Sequence, residues 1–170
     1  MKIVVLNGSP RSNGQTAEMT AVFREAAENA GHEVTVFSVC RMDIHGCLAC
    51  EYCHTKGKGM CIQKDGMQEI YACLQDADMI VLASPIYYHG ISGQLKCAVD
   101  RFYSVLYPAA PKSLRKAAMF LSSGDPDMYD GARFSFEGDF LGYLGLEDAG
   151  IITNHDPDYL DAVRRMAAAL

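Results

Sequence analysis

The chain of 170 residues contains no Trp and only 6 Pro and 15 Gly, which excludes collagen-like and proline-rich low-complexity sequence. Basic side chains are the minority charge, 15 Lys and Arg against 21 Asp and Glu, for a formal net charge of −6. A surface of that sign does not neutralise phosphates, so non-specific binding to nucleic acid or anionic membrane is excluded. Long apolar runs are missing too. The most apolar stretch, Met79 to Ile86, is cut by Pro85 and falls far short of the ~20 residues of a membrane span. The opening MKIVVLN lacks the longer apolar region and small-residue cleavage site of a secretory signal. Neither a G-x-G-x-x-G dinucleotide fingerprint nor the Gly-Lys-Ser/Thr end of a P-loop occurs. The expectation is a cytoplasmic protein whose residues 1–170 form a single domain, large enough to bury its own core. What the chain has in excess is cysteine: 7 in all, of which Cys47, Cys50, Cys53 and Cys61 share one short segment.

The period of the hydrophobic pattern alternates along the chain. Strands are predicted at Ile3–Leu6, around Val34, Val36 and Val39, and at Met79–Ala83, Ala117–Leu121 and Gly150–Thr153. Helices are predicted at Thr16–Ala30, Asp65–Gln75, Gln94–Leu106, Phe134–Leu144 and Tyr159–Leu170, the first stopped by Gly31 and the last opened by Pro157. Such alternation implies an α/β fold with a parallel sheet covered on both faces. Right-handed crossovers and five strands favour the three-layer, doubly wound, flavodoxin-like order 2-1-3-4-5. Ligands in that architecture sit beyond the carboxyl ends of the strands, here the loops after Leu6, Ala83 and Leu121. Residues 40–64 break the rhythm as a Cys-rich insertion, and a structureless loop of that length is usually functional.

The first loop, Asn7 to Thr16, leaves a buried strand and opens a helix, whose free first-turn amides suit a phosphate. Ser9, Ser12 and Thr16 supply hydroxyls, Asn13 and Gln15 amides, and Arg11 a fixed positive fork, while Gly14 permits close approach. The second loop carries the planar side chains Tyr87, Tyr88 and His89, suited to pack against a flat ring. Gly8-Ser9-Pro10-Arg11 with Asn13-Gly14-Gln15-Thr16 resembles the phosphate loop of flavodoxin-like NAD(P)H-dependent FMN reductases, with Gln15 where Asn is usual. Ser84-Pro85-Ile86-Tyr87-Tyr88, Gly93-Gln94-Leu95-Lys96 and Asp100-Arg101 resemble the second flavin loop of that family and its following helix. The resemblance covers residues 1 to about 105 and implies bound FMN with its phosphate on residues 9–16. It implies ring contacts from Pro85, Ile86, Tyr87, Tyr88 and Gly90, and from Ser123 and Gly124, after which Asp125-Pro126 departs from the family's Gly-rich pattern; His89, where the family varies, is a further candidate. No protein catalytic residue is expected, because the flavin carries the hydride chemistry.

Cys47, Cys50, Cys53 and Cys61 spell C-x2-C-x2-C-x7-C. Where thiols stay reduced, clustered Cys read as metal-binding or redox-active. The compact triplet with a fourth Cys nearby is the usual grip on a [4Fe–4S] cluster, whereas structural zinc prefers separated pairs. Zinc, free thiols and a redox dithiol pair remain open from the residues alone. His45 and His54 flank the triplet as alternative ligands, and Lys56, Lys58 and Lys64 could lower thiol pKa values. Cys40, Cys73 and Cys97 are expected to be small core residues. The placement of the four-Cys segment, between the second strand and second helix, resembles that of the iron–sulfur flavoprotein branch of the same reductase fold. Without metal the loop is expected to be mobile or pinned by a partner subunit.

The resemblance thus implies an FMN-dependent NAD(P)H oxidoreductase, passing electrons to a quinone, free flavin, disulfide or redox protein, with a [4Fe–4S] cluster as a further carrier. With no dinucleotide fingerprint, NAD(P)H is expected to stack transiently on the flavin. Two other classes stand beside this one: a one-electron flavoprotein carrier without its own NAD(P)H site, and a zinc-stapled nucleotide-binding regulatory domain. By fold-level analogy a homodimer or homotetramer is expected, since the flavin edge is open in a lone subunit.

Overall fold

A computed structural model describes residues 1–170. The chain runs β1 (Lys2–Asn7), α1 (Gln15–Asn29), β2 (Glu33–Ser38), α2 (Met67–Leu74), β3 (Met79–Tyr87), β4 (Gly90–Ile91), α3 (Gly93–Arg101), α4 (Tyr103–Leu106), β5 (Lys116–Ser122), α5 (Asp130–Phe136), β6 (Glu147–Thr153) and α6 (Tyr159–Ala168). The long strands pair in parallel in the order β2-β1-β3-β5-β6, and β4 folds back antiparallel on β3. Leaving out the two-residue β4, this is the expected 2-1-3-4-5 order, flavodoxin-like and doubly wound.

The apolar runs form strands because both of their faces are buried. Along β1, Val4 and Leu6 enter one core layer while Ile3 and Val5 enter the other. β3 divides the same way, Ile80 and Leu82 against Met79, Val81 and Ala83, and so does β5. Side chains of α1 and α6 cover the second layer; those of α2, α3, α4 and α5 cover the first. Helix α1 stops as Gly31 allows: at φ +88 it gives its N–H to Glu28 O while His32 gives its N–H to Ala27 O, the paired bonds of a Schellman end.

Several boundaries differ from the sequence expectation: β6 starts at Glu147 rather than Gly150, and the helix expected at Gln94–Leu106 is split at Phe102 into α3 and α4. β3 continues past Ala83 to Tyr87, because Pro85 is carried in register with Ser122 of β5 and needs no N–H to stay there. Val39 leaves β2 for a single 3-10 turn, Val39–Arg41. The helix expected at Phe134–Leu144 starts earlier, at Asp130, and after Phe136 widens into π turns over Glu137–Tyr143. Gly138 and Gly142 lie in that stretch and weaken α-helical turns, and Leu144 N–H reaches five residues back to Asp139 O at 3.0 Å. No helix is long and apolar enough to cross a membrane.

The switch between β1 and β3 sets the loops after β1, β3 and β5 beside one another at the carboxyl ends of the parallel strands. Phe23 of α1 locks the second layer, its ring fully buried edge-to-face on Phe120 at 5.3 Å. Phe23→Ala should cost about 3–5 kcal/mol of stability, read as a fall in the urea midpoint with an unchanged slope.

Candidate functional site

The loop after β1 is fastened from both sides. Gly8 donates its N–H to Ala83 O of β3 at 2.8 Å, and Ser92 Oγ donates to Gly8 O at 2.8 Å. A Cβ at Gly8 would lie 2.6 Å from Ser92 Oγ and 2.7 Å from Leu95 Cβ, so only glycine fits. Asn7 Oδ1 accepts the Ser9 N–H at 2.9 Å, and Ser9 Oγ accepts the Arg11 N–H at 3.2 Å, curling the chain tightly. Helix α1 then begins behind Gly14, which offers no capping side chain. The amides of Gln15, Thr16 and Ala17 therefore have no partner one turn earlier, and with the helix dipole they favour an anion. Arg11, Ser12, Asn13 and Gln15 are exposed around this opening. Thr16 differs: it is buried, with its hydroxyl 2.7 Å from that of Ser122, so its contribution at the opening is backbone rather than side chain.

The loop after β3 is a hairpin. Tyr87 pairs with Gly90, and between them Tyr88 and His89 sit at φ 50 and φ 63. Two left-handed residues make a tight turn normally reserved for Asn and Gly, and bulky residues there mark stored backbone strain. Its outcome is display: Tyr88 is 99% exposed and Tyr87 half-exposed, while Ile86 stays buried and Pro85 and Gly90 partly so. The hairpin is held below by Ser84 Oγ, which accepts the Ser92 N–H at 2.9 Å.

The loop after β5 is organised by Asn154, a residue that no sequence pattern singled out. Its Oδ1 accepts from Ser123 N–H at 2.8 Å and from Tyr129 OH at 2.6 Å, and its Nδ2 donates to Ser123 O and to Gln15 Oε1. One amide thus ties the third loop to the start of α1. Gly124 is exposed at the loop's tip. Only an Asn just beyond the last strand hinted at this role. Beside the hairpin, a cleft of about 440 Å³ opens between α3–α4 and α5, lined by Ile91, Phe102, Tyr107, Phe136, Phe140 and Tyr143 among others.

Cys47, Cys50, Cys53 and Cys61 line one small, largely apolar cavity together with Arg101, Tyr103 and Ser104. The loop that brings them together is bent hard, with Ala49, Glu51 and Lys58 at positive φ. Gly57 is obligatory there, since a Cβ would meet Met60 O at 2.3 Å. A backbone N–H faces one of the sulfurs: Ala49 N–H reaches Cys47 Sγ at 3.4 Å. Burial pushes the Cys53 thiol up, against the opposing N–H groups of Cys53 and His54. No three His, Cys, Asp or Glu side chains converge closely enough to share a single metal ion. His54 is engaged elsewhere, its Nε2 2.7 Å from Tyr103 O, and exposed His45 lies 3.3 Å from Asp43. Lys56, Lys58 and Lys64 are exposed.

This loop is fastened by its own chain. Arg101, 1% exposed at the end of α3, forks onto Asp65, 5% exposed, with bonds of 2.7 and 3.1 Å. The same guanidinium donates to His45 O at 2.9 Å. Tyr103 OH donates to Glu51, and Gln63 Nε2 to Gly46 O. Cys40, Cys73 and Cys97 are half-buried rather than interior, and the Cys40 thiol donates to Ser9 O in the first loop.

Fold and site together define a flavodoxin-like α/β protein with an anion loop and an aromatic hairpin at its switch point. Residues 1–135 match the family described as NADPH-dependent FMN reductase, and the chain belongs to it. The chain is 40% identical over 115 residues to an iron-sulfur flavoprotein of Methanocaldococcus jannaschii, covering 68% of this chain and 57% of that one. An iron-sulfur flavoprotein of Archaeoglobus fulgidus is 36% identical over 101 residues, 59% of this chain and 45% of that one. The chain thus spans about half the length of these relatives. Among solved structures, an NAD(P)H:quinone oxidoreductase from Methanothermobacter marburgensis superposes with a TM-score of 0.77 at 20% identity, covering 99% of this chain and 94% of that one.

Burial works against the Asp65 carboxylate, but the Arg101 fork and the N–H groups of His45 and Met67 outweigh it and hold its pKa below the ordinary 3.8. A depressed folded pKa gives stability that is present above 3.8 and lost as pH falls through the folded value. Asp65→Asn should therefore lower stability at pH 7 by about 3–5 kcal/mol, since it strands a buried cation, and should flatten the acid limb. Urea titrations of wild type and variant at neutral and acid pH check both.

Proposed function

We propose that this chain is an FMN-dependent NAD(P)H oxidoreductase in which one flavodoxin-like domain, residues 1–170, carries a Cys-rich insertion at about 40–64. The observation that carries the reading is the joining of two loops at the switch point: Gly8, at the start of the uncapped anion loop, is bonded both to β3 and to Ser92, which closes the aromatic hairpin. An FMN phosphate suits the amides of Gln15, Thr16 and Ala17 with Ser9, Ser12, Asn13, Gly14 and Arg11 around them. The ring edge suits Pro85, Ile86, Tyr87, Tyr88, His89 and Gly90, with Ser123 and Gly124 opposite. FMN, when bound, supplies hydride and single-electron chemistry; the protein's part is to orient the ring and tune it. The aromatic cleft beside the hairpin suits a flat acceptor such as a quinone. One fold neighbour is an FMN-dependent NADH-azoreductase from Bacillus anthracis in complex with FMN, with a TM-score of 0.72 at 15% identity, covering 99% of this chain and 98% of that one.

The four Cys fit a [4Fe–4S] cluster. Their donor set is all thiol, they line one apolar cavity, and a backbone N–H already faces Cys47 Sγ. An all-thiol donor set suits a cluster that offers each Cys its own iron. Such a cluster supplies one-electron transfer. That cavity favours a second reading, a flavoprotein electron carrier without an NAD(P)H site, which steady-state oxidation of NADH and NADPH separates from the first. The exposed Leu48, Met60, Ile62 and Tyr88 lie on the Cys loop and hairpin and support a homo-oligomer closing over both.

Flavin titration tests the reading. Wild type should bind FMN more tightly than riboflavin. Arg11→Ala should lose about tenfold in FMN affinity, about 1.4 kcal/mol, with riboflavin affinity unchanged. Wild type that takes up no FMN, or an Arg11→Ala loss equal for both flavins, contradicts the reading.

A further inference from the structure

The guanidinium of Arg101 is not fully used. It is the one cationic side chain lining the cavity shared by Cys47, Cys50, Cys53 and Cys61. Its terminal nitrogens are committed, one to Asp65 and His45 O and the other to Asp65. Its Nε is buried and has no hydrogen-bond partner, the only buried side-chain nitrogen or oxygen in the protein so left. A buried N–H without an acceptor is costly, and native structures rarely keep one without a reason. The fork onto Asp65 neutralises the arginine's charge, so what remains on the Nε edge is a directed donor more than a free cation. Sulfur ligands and sulfides of an iron–sulfur cluster are acceptors that are strengthened by reduction, and hydrogen bonds to them raise its potential.

We propose that Arg101 is a positioning residue for the group held by the four Cys, its Nε–H donating to a sulfur of that group, a Cys thiolate or bridging sulfide, and thereby raising its reduction potential. The inference rests on the cluster reading given under Proposed function and goes beyond it by assigning the donor. Asp65 plays the complementary part. It turns the guanidinium so that both terminal nitrogens are engaged and Nε is left free. Met67 N–H and His45 N–H, both bonded to Asp65, fix that carboxylate in turn.

The experiment uses the whole chain, isolated and reconstituted anaerobically with iron and sulfide. Arg101→Lys keeps a cation for Asp65 and removes the Nε–H. It should keep its FMN and iron content, while redox titration followed by electron paramagnetic resonance shows a lower cluster potential. At the wild-type midpoint the oxidised-to-reduced ratio should rise about tenfold, a shift of about 59 mV for one electron. An unchanged potential in a folded, iron-loaded variant overturns the proposal. Because Lys does not reproduce a bidentate fork, a second measurement needs no variant: wild type grown with arginine labelled with 15N at Nε only. The reduced cluster should then show a 15N hyperfine coupling in pulsed paramagnetic resonance, and its absence overturns the assignment. Wild type that binds FMN but takes up no iron overturns the assignment and the cluster reading together, whereas a loaded cluster without the coupling overturns the assignment alone.

Discussion

The buried Arg101–Asp65 pair is the constraint on which the arrangement of the two sites depends. Arg101 ends α3, the helix that starts immediately after the hairpin, and Asp65 ends the Cys loop just before α2. One bidentate contact therefore registers the Cys segment against the helix that also carries Ser92 at its start, the residue locking the hairpin to the anion loop. A buried pair of this kind adds little net stability over an apolar replacement, because both charges have been desolvated. Its consequence here is geometric. Together with the Tyr103–Glu51, Gln63–Gly46 and His54–Tyr103 bonds it holds a stretch with no strand and no α-helix, in which Ala49, Glu51 and Lys58 sit at positive φ.

The fold was largely legible in the residues, for a physical reason. Strands buried on both faces must be apolar throughout, so Ile3–Leu6, Met79–Ala83 and Ala117–Leu121 stand out without any periodicity. The π-helical stretch after Phe136 was not legible, since its glycines weaken a helix without saying what replaces it. Nor was the extension of β3 through Pro85, which depends on its pairing with Ser122 of β5.

The candidate site was legible as far as local sequence carries it. Residues 9–16 and 85–90 are contiguous, and their types announce an anion cradle and an aromatic edge. Asn154, Asn7 and Ser92 did not stand out, because each works through a partner distant in sequence or through a turn no spacing rule predicts. Arg101 was visible as part of a familiar Asp-Arg pair of letters, but not as the wall of the Cys cavity, which only the packing of α3 on the loop creates. The Thr16 hydroxyl is turned inward to Ser122 for a similar reason: the third loop needs an anchor on α1.

The loop after β1 and the Cys cavity converge on one helix, α3, from opposite ends. Ser92 at its start fastens the loop after β1, and Arg101 at its end lines the Cys cavity. The central claim is that one scaffold holds two redox groups. The direct measurement is the content of FMN, iron and acid-labile sulfide in the anaerobically isolated chain beside its Cys50→Ser variant. About four iron and four sulfide are expected for each FMN in the wild type, with iron lost and FMN kept in the variant. FMN without iron in a wild type reconstituted anaerobically, or iron retained in full by Cys50→Ser, would contradict the claim.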